Sequence, residues 1–345
     1  GTALVGVLNA LWNEKGYCTA KDFSAFCNST VPLIRTSKFE YTNNETLNAA
    51  VEIYHYGEAN FDNTIVQWIL KESNGKIVEQ GSFPSTKIVS GKNTFIGNIQ
   101  VVLSSIAVAT QLSLEVSIPH TKYHNSWNFW VYPAQSNIST NDIYYTTSLD
   151  SIAKQILQNG GKVFLNLAGK ITKGKEVVQT FTPVFWNTSW FKMRPPHITG
   201  ISLNAQHPAF KFFPTNNYSD IQWWSITNKQ QVMHLEDFPK DFKPLVRPID
   251  TWFMNRRLAL IFEANIGKGK MIVSSTDINA NSTQPAAKQL YYSLVQYMQS
   301  NNFKPQQTIN IQLIQDLLTQ PSKYVFDAYT KDSPDELKPK TAITH

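Results

Sequence analysis

Alternation of apolar and polar positions dominates the first third of the chain. In TQLSLEVSI, residues 110–118, Leu112, Leu114, Val116 and Ile118 fall on one side and Gln111, Ser113, Glu115 and Ser117 on the other. Successive strand residues face opposite ways, so this period of two predicts a half-buried β-strand. LNAAVEIYHYG, 47–57, alternates similarly and stops at Gly57. NTIVQWILKESNGKIVEQGSF, 63–83, predicts two strands joined across Ser73-Asn74-Gly75, because Asn-Gly accepts the positive φ of tight hairpin turns. SWNFWVYP, 126–133, closes the set. Short strands at this spacing over 31–135 predict an antiparallel β-sandwich of immunoglobulin type, without the Cys–Trp–Cys hallmark of antibody domains.

Before and after these strands the period is helical. Over residues 1–28, Leu4, Val7, Leu8 and Leu11 share a helical face and Gly16 ends the segment. A second short helix over 20–27 carries Phe23 and Phe26, with Thr19 as N-cap and Asp22 three residues on. So small an apolar start needs something to pack against. After a polar linker, AQSNISTN at 134–141, the pattern becomes strand–helix–strand. DIYYTTS is a strand, LDSIAKQILQNGG a helix capped by Ser148 or Thr147 with Asp150 in its first turn and Gly160-Gly161 at its end, and KVFLNLA the next strand. LALIFEANIGKGKMIVSS gives two strands about Gly267-Lys268-Gly269. Pro285 opens a helix whose face is Ala287, Leu290, Tyr291, Leu294 and Met298. Together these predict an open α/β domain over 136–305. A tail over 306–345 holds one amphipathic helix, INIQLIQDLL, and a charged, Pro-containing end expected to fray.

Composition narrows the classes. Of 345 residues, 42% are hydrophobic and 12% aromatic, enough for two packed cores, while only 16% are charged. The surface is therefore rich in neutral polar groups, a balance common in exported and carbohydrate-facing proteins. The net charge of +6 comes without a Lys/Arg block, and KITKGK at 170–175 reads as a turn, so nucleic acid is not an expected partner. No run approaches the ~18 apolar residues of a membrane span, and the opening GTALVGVLNAL lacks the basic flank and cleavage site of a signal peptide. Cys18 and Cys27 flank the second helix, whose rise separates them by roughly 12 Å. Two free, buried thiols are expected.

Catalytic patterns are missing. There is no G-x-S-x-G elbow, no GxGxxG and no phosphate-binding loop, and IGKGK is a hairpin turn because strands flank it. His120 and His124 lie in a turn where helical spacing does not apply, and no Cys/His grouping suggests zinc, so no metal or cofactor is expected. His207, before Pro208, is expected to cap a turn, and His55 to be a packed or edge residue. Among the acids, Asp250 in RPIDTW and Glu263 in LIFEA stand in apolar or aromatic surroundings. They are expected to form structural ion pairs with Arg247, Arg256 or Arg257. A glycosidase needs two carboxyls facing across a cleft, and nothing in the sequence sets these two opposite one another. The adjacent Trp223 and Trp224 of SDIQWWSI pose the remaining question, sugar platform or packing. In an extended segment they would face opposite ways, one beneath a helix and the other toward a surface, loop or neighbouring domain.

Several longer stretches carry a resemblance. GTALVGVLNALWNEKGYCTAKDFSAFCNSTVPLIR, VEIYHYG, NFWVYP, FTPVFWNTSW, HPAFKFFPTNNYSDIQWW and PIDTWFMNRRLALIFEANIGKGKMIV together resemble the C-terminal half of β-galactosidase-like bacterial glycoside hydrolase family 2 enzymes, over roughly residues 1–305. The resemblance implies an order of barrel remnant or linker (1–30), immunoglobulin-like sandwich (31–135) and α/β module of flavodoxin or class I glutamine-amidotransferase type (136–305). It implies an exported protein, periplasmic or at the cell surface, whose partners are the catalytic barrel and N-terminal domains of a parent chain. The family's two catalytic glutamates belong to the barrel, so no catalytic residue carries over. The α/β module also lacks the cysteine nucleophile of true amidotransferases. The expected role is a non-catalytic accessory region supporting the barrel, and substrate access or oligomerisation with it. The alternative is a carbohydrate-binding module. The residues that could touch sugar, or anchor one domain on another, are Trp186, Trp190, Trp223, Trp224, Asp250 and Trp252.

Overall fold

The computed structural model describes residues 6–134, 138–140, 142–181, 200–251 and 254–323. The chain divides into two units, Gly1–Gln135 and Ser136–His345.

In the first unit, α1 (Ala20–Phe26) starts where the sequence placed it. Thr19 Oγ1 accepts from the Asp22 N–H at 3.2 Å, and Asp22 Oδ2 accepts from the Thr19 N–H at 3.0 Å, a complete capping box. The helix expected upstream does not form among the described residues. There the chain folds back on itself, with Leu8 bridging Glu14 and Leu11 and Trp12 exposed at the tip. Asn9 Oδ1 accepts from the N–H groups of both Leu11 and Asn13, and this side-chain competition for backbone donors favours a turn over a helix. Cys18 and Cys27 are free, but neither is buried, because α1 covers none of its own residues.

Ten strands follow: β1 (Thr30–Arg35), β2 (Glu40–Thr42), β3 (Thr46–His55), β4 (Phe61–Thr64), β5 (Gln67–Glu72), β6 (Ile77–Ser82), β7 (Thr86–Ile88), β8 (Lys92–Val102), β9 (Thr110–Ser117) and β10 (His124–Tyr132). They form sheets of order β1-β3-β8 and β2-β10-β9-β5-β6, with β4-β7 as a separate ribbon. Pairing is antiparallel except between β2 and β10. The alternating positions make the core. Leu47, Ala49, Val51 and Ile53 of β3 meet Leu112, Leu114 and Val116 of β9 and Phe129 and Val131 of β10 in one cluster. Each large aliphatic side chain so buried contributes about 1.5–3 kcal/mol. The result is sandwich-like. His55 is buried in it, its Nδ1 bonded to Thr30 Oγ1 at 2.7 Å.

The second unit is a mixed sheet with helices on both faces. Its strands are β11 (Ile143–Thr146), β12 (Lys162–Asn166), β13 (Gly200–Leu203), β14 (Met233–His234), β15 (Val246–Ile249), β16 (Leu258–Ala259), β17 (Ile261–Ile266) and β18 (Gly269–Ser274). The main sheet runs β11-β12-β18-β17-β15-β13, parallel through the first three and antiparallel beyond. Between β11 and β12 lies α2 (Ser151–Gln158), capped by Asp150 rather than by Ser148 or Thr147. Asp150 Oδ1 takes the Ala153 N–H at 2.7 Å, while Thr146 Oγ1 donates to Ser148 O and closes a turn upstream of the helix. Helices α3 (Ile221–Thr227), α4 (Pro285–Gln299) and α5 (Ile311–Thr319) complete the unit.

Strand alternation sorts the helices. Val163 and Leu165 join Ala153 and Leu157 of α2 and Ile314 and Leu317 of α5 in one cluster. Phe164, between them and hence pointing the other way, packs edge-on against Tyr291 of α4 at 5.2 Å. The predicted α4 face is fully covered.

Candidate functional site

Three clefts of the second unit bring polar side chains together; Asp250 lines one, of about 600 Å³, with Arg247, Arg256 and Arg257, and α3 helps build another. SDIQWWSI is helical, not extended. Asp220 caps α3 by accepting the Trp223 N–H. Adjacent helical residues stand about 100° apart rather than 180°, yet the two tryptophans still diverge. Trp223 is buried, donating from Nε1 to Thr215 Oγ1 at 2.8 Å and meeting Phe210 and Phe213 edge-on. Trp224 is 47% exposed, and its indole lies on the wall of a cleft of about 590 Å³. Beside it the α3 C-terminus contributes Asn228 and Gln230. The loop after β18 contributes Asp277, Asn279 and Asn281. That loop is pinned from below, because Asn166 Nδ2, at the end of β12, donates to Ile278 O at 2.9 Å and Ile278 is buried. Asn279 in turn donates to Asp277 Oδ1 at 3.0 Å. The cleft thus includes the loop leaving the carboxyl end of parallel strand β18, the region where open α/β sheets hold ligands.

The third cleft, also of about 590 Å³, lies over β17 and is walled in part by His207, Asp241, Lys243, Glu263 and Gln307. His207 caps the short 3₁₀ turn Pro208–Phe210, its Nδ1 accepting the Ala209 N–H at 3.3 Å. Its Nε2 lies 3.9 Å from Glu263 Oε1. Burial pushes the His207 imidazole down. Burial also pushes the Glu263 carboxyl up, against a hydrogen bond from Tyr297 and the more distant Lys270 ammonium. The Tyr297 phenol is raised strongly, by burial first and by the Glu263 charge second. Glu263 Oε2 is buried without a hydrogen-bond partner. The ion pair expected for Glu263 with an arginine is therefore replaced by contacts to a neutral phenol and an imidazole.

Asp250 is different. Its side chain is buried and both oxygens are engaged, Oδ2 by Arg256 Nε and N–H at 2.9 and 2.7 Å and Oδ1 by Arg256 Nη2 at 2.9 Å. A carboxylate so occupied has little capacity left for sugar. Trp186, Trp190 and Trp252 lie outside the described residues. Of the six residues singled out from sequence, Trp224 alone is described on the wall of an open, neutral cleft. The sequence reading missed the cleft's other wall, the Asn/Ser/Thr/Gln-rich DINANSTQP run between β18 and α4, whose composition was the available signal. It also missed the pairing of His207 with Glu263, residues 56 positions apart in the chain with no spacing to connect them. Among the described residues no group of His, Cys, Asp and Glu has a metal-binding arrangement, and no helix is long and apolar enough to cross a membrane.

Two family models match the chain, the Domain of unknown function (DUF8487) over residues 144–319 and the Domain of unknown function (DUF8488) over residues 45–133. No curated protein matches it. Solved structures with partial likeness include a Pseudomonas fluorescens alkylpurine DNA glycosylase (AlkC) bound to DNA, 10% identical over 30% of each chain with a TM-score of 0.25. A family 123 glycoside hydrolase from Clostridium perfringens is 8% identical over 41% of this chain and 39% of its own, with a TM-score of 0.24. A Paenibacillus cycloisomaltooligosaccharide glucanotransferase is 8% identical over 44% of this chain and 22% of its own, also at 0.24. At such scores these likenesses bear on neither the fold nor the function of this chain.

Proposed function

The chain belongs to the family of the Domain of unknown function (DUF8487), and we propose that it is a non-catalytic accessory region of an exported glycoside hydrolase that holds carbohydrate in the Trp224 cleft. The observation that carries this reading is the half-exposed Trp224 on a cleft whose other lining is mostly neutral amides and hydroxyls. A sugar ring has two apolar C–H faces and a rim of hydroxyls. An indole offers area to such a face at small entropic cost, while planar amides and one carboxylate can pair with the rim. A strongly charged ligand has little to meet there, since Lys229 and Asp277 are the cleft's sole ionisable residues.

The resemblance to β-galactosidase-like family 2 enzymes supplies the context. In that reading the sandwich is immunoglobulin-like, the α/β unit is a flavodoxin- or amidotransferase-like module, and the partner is a catalytic barrel. The two units support that barrel, and the Trp224 cleft presents or retains substrate near it.

Isothermal titration against galactosides and pectic oligosaccharides tests this reading. At least one class should bind with millimolar or tighter affinity. Trp224→Ala should weaken it by roughly tenfold or more, about 1.4 kcal/mol, while leaving the melting temperature near its original value. Silence across the panel would remove the sugar, and turnover of aryl-glycosides surviving stringent purification would remove the non-catalytic role.

A further inference from the structure

The cleft over β17 is not used by the reading above, and its polar groups are unusually specific about what they can take. His207 Nδ1 is occupied by the Ala209 N–H, so the neutral ring carries its proton on Nε2. That Nε2–H faces Glu263 Oε1 at 3.9 Å, too far for a hydrogen bond. A single atom placed about 2.8 Å from each would span the gap at roughly a right angle. Such an atom must accept from the imidazole and also pair with the carboxyl. A hydroxyl does both, and it does so whether Glu263 is ionised or protonated, because it can give or take the second hydrogen bond. An ammonium cannot accept from His207. A carboxylate has no proton for an ionised Glu263. Inorganic phosphate keeps a P–OH, but its remaining charge would meet both Glu263 and Asp241 on the same wall, with Lys243 alone to offset them.

The site is also preformed. His207 is held by its cap on the 3₁₀ turn, and Glu263 sits in β17. On the rim, the Gln307 amide is held at both ends, taking the Lys243 N–H at 2.9 Å and donating to Asp241 O at 3.0 Å. A cleft of about 590 Å³ is large enough for a small organic ligand rather than a lone water.

We propose that this cleft is a second ligand site, which takes a small polyhydroxylated molecule with one hydroxyl bridging His207 Nε2 and Glu263 Oε1. The proposal is independent of the Trp224 cleft. It is tested by NMR titration of the whole chain with glycerol, galactose and glucose, following the His207 Cε1–H resonance, and with inorganic phosphate and methylammonium as charged probes.

At least one hydroxylated probe should move that resonance saturably, and the charged probes should not. His207→Asn keeps an oxygen to cap the 3₁₀ turn but removes the Nε2 donor. Glu263→Leu removes the carboxyl partner. Binding of the active probe, read by calorimetry, should weaken by about tenfold in each, the scale of leaving one polar partner unpaired. Trp224→Ala should leave the His207 shift unchanged. The proposal fails if no hydroxylated probe moves the resonance, if phosphate or methylammonium moves it instead, or if Trp224→Ala abolishes the shift. It fails equally if affinity survives His207→Asn. Should Glu263→Leu not fold, the wild-type titration and His207→Asn decide.

Discussion

Asp220 carries the sharpest conflict at the level of a single side chain. It caps α3 through the Trp223 N–H, yet burial pushes its carboxyl up to about 6, against hydrogen bonds from Gln222 and the helix backbone. Its folded value therefore lies above the ordinary 3.8. Between those two values the folded chain binds the proton that the unfolded chain has released, so stability falls as pH rises from about 4 to about 6. The full cost, roughly 3 kcal/mol, is in force at neutral pH. Asp220→Asn retains a capping oxygen and removes the charge. Urea denaturation across pH 4–7 should show the wild-type midpoint declining with pH, and the variant flatter and more stable at pH 7. Equal slopes would mean that Asp220 is better solvated than its burial implies. The same residue shows why DIQWWSI misleads as a sequence. A short apolar run fits a strand or a helix equally well by period, and what decides it is the Asp three positions before Trp223, an N-cap that hydrophobicity does not register. The divergence of the two tryptophans was legible even so, since neither geometry lets neighbours share a face.

Elements were legible where the period ran long and illegible where a polar side chain redirected the backbone. The alternating strands β3 and β9, the Gly267 hairpin and the α4 face all follow from spacing. Among the described residues, the absence of a helix before α1 follows from Asn9, and the shifted α2 cap from Thr146 closing a turn around Ser148. Contacts between elements leave still less trace in the sequence, and Gly269 is the clearest case. It lets α2 lie directly on β18, and a Cβ there would stand 2.6 Å from Leu157 Cα, 2.7 Å from Leu157 O and 2.8 Å from Gly161 O. All three are backbone atoms, so no rotamer change relieves the overlap and the helix itself must move. Gly267, two residues earlier at φ +59°, has open space where its Cβ would be. Gly267→Ala should thus pay only for the left-handed backbone, roughly 1–2 kcal/mol, whereas Gly269→Ala should cost about 3 kcal/mol or more as overpacking against a rigid neighbour. Guanidinium denaturation of the two variants checks the order. Equal losses would place the constraint in the turn rather than in the helix–strand contact.

For the chain as a whole, each unit has its own hydrophobic cluster. One gathers β3, β9 and β10, the other α2, β12, β17, β18 and α5, and no residue belongs to both. A unit that owns a core of this kind is expected to fold without the other. The change of period from two to a strand–helix alternation, with AQSNISTN between, made this division visible in sequence. The candidate sites were far less visible, because each is assembled from segments whose proximity only the sheet order creates. Residues 138–323 expressed alone should unfold cooperatively and retain whatever sugar affinity the whole chain has, since both clefts are walled entirely by this stretch. Residues 6–134 should fold and bind none of it. Charge gives a second handle on the same experiment. With +6 on 345 residues and no basic cluster, a sugar held by stacking and neutral amides releases no counterions, so its affinity should hardly change between low and high salt, unlike that of a polyanion. Titration of the two halves at both ionic strengths reads both expectations together. Affinity that collapses with salt, or that resides in the first half, would move the ligand out of the Trp224 cleft.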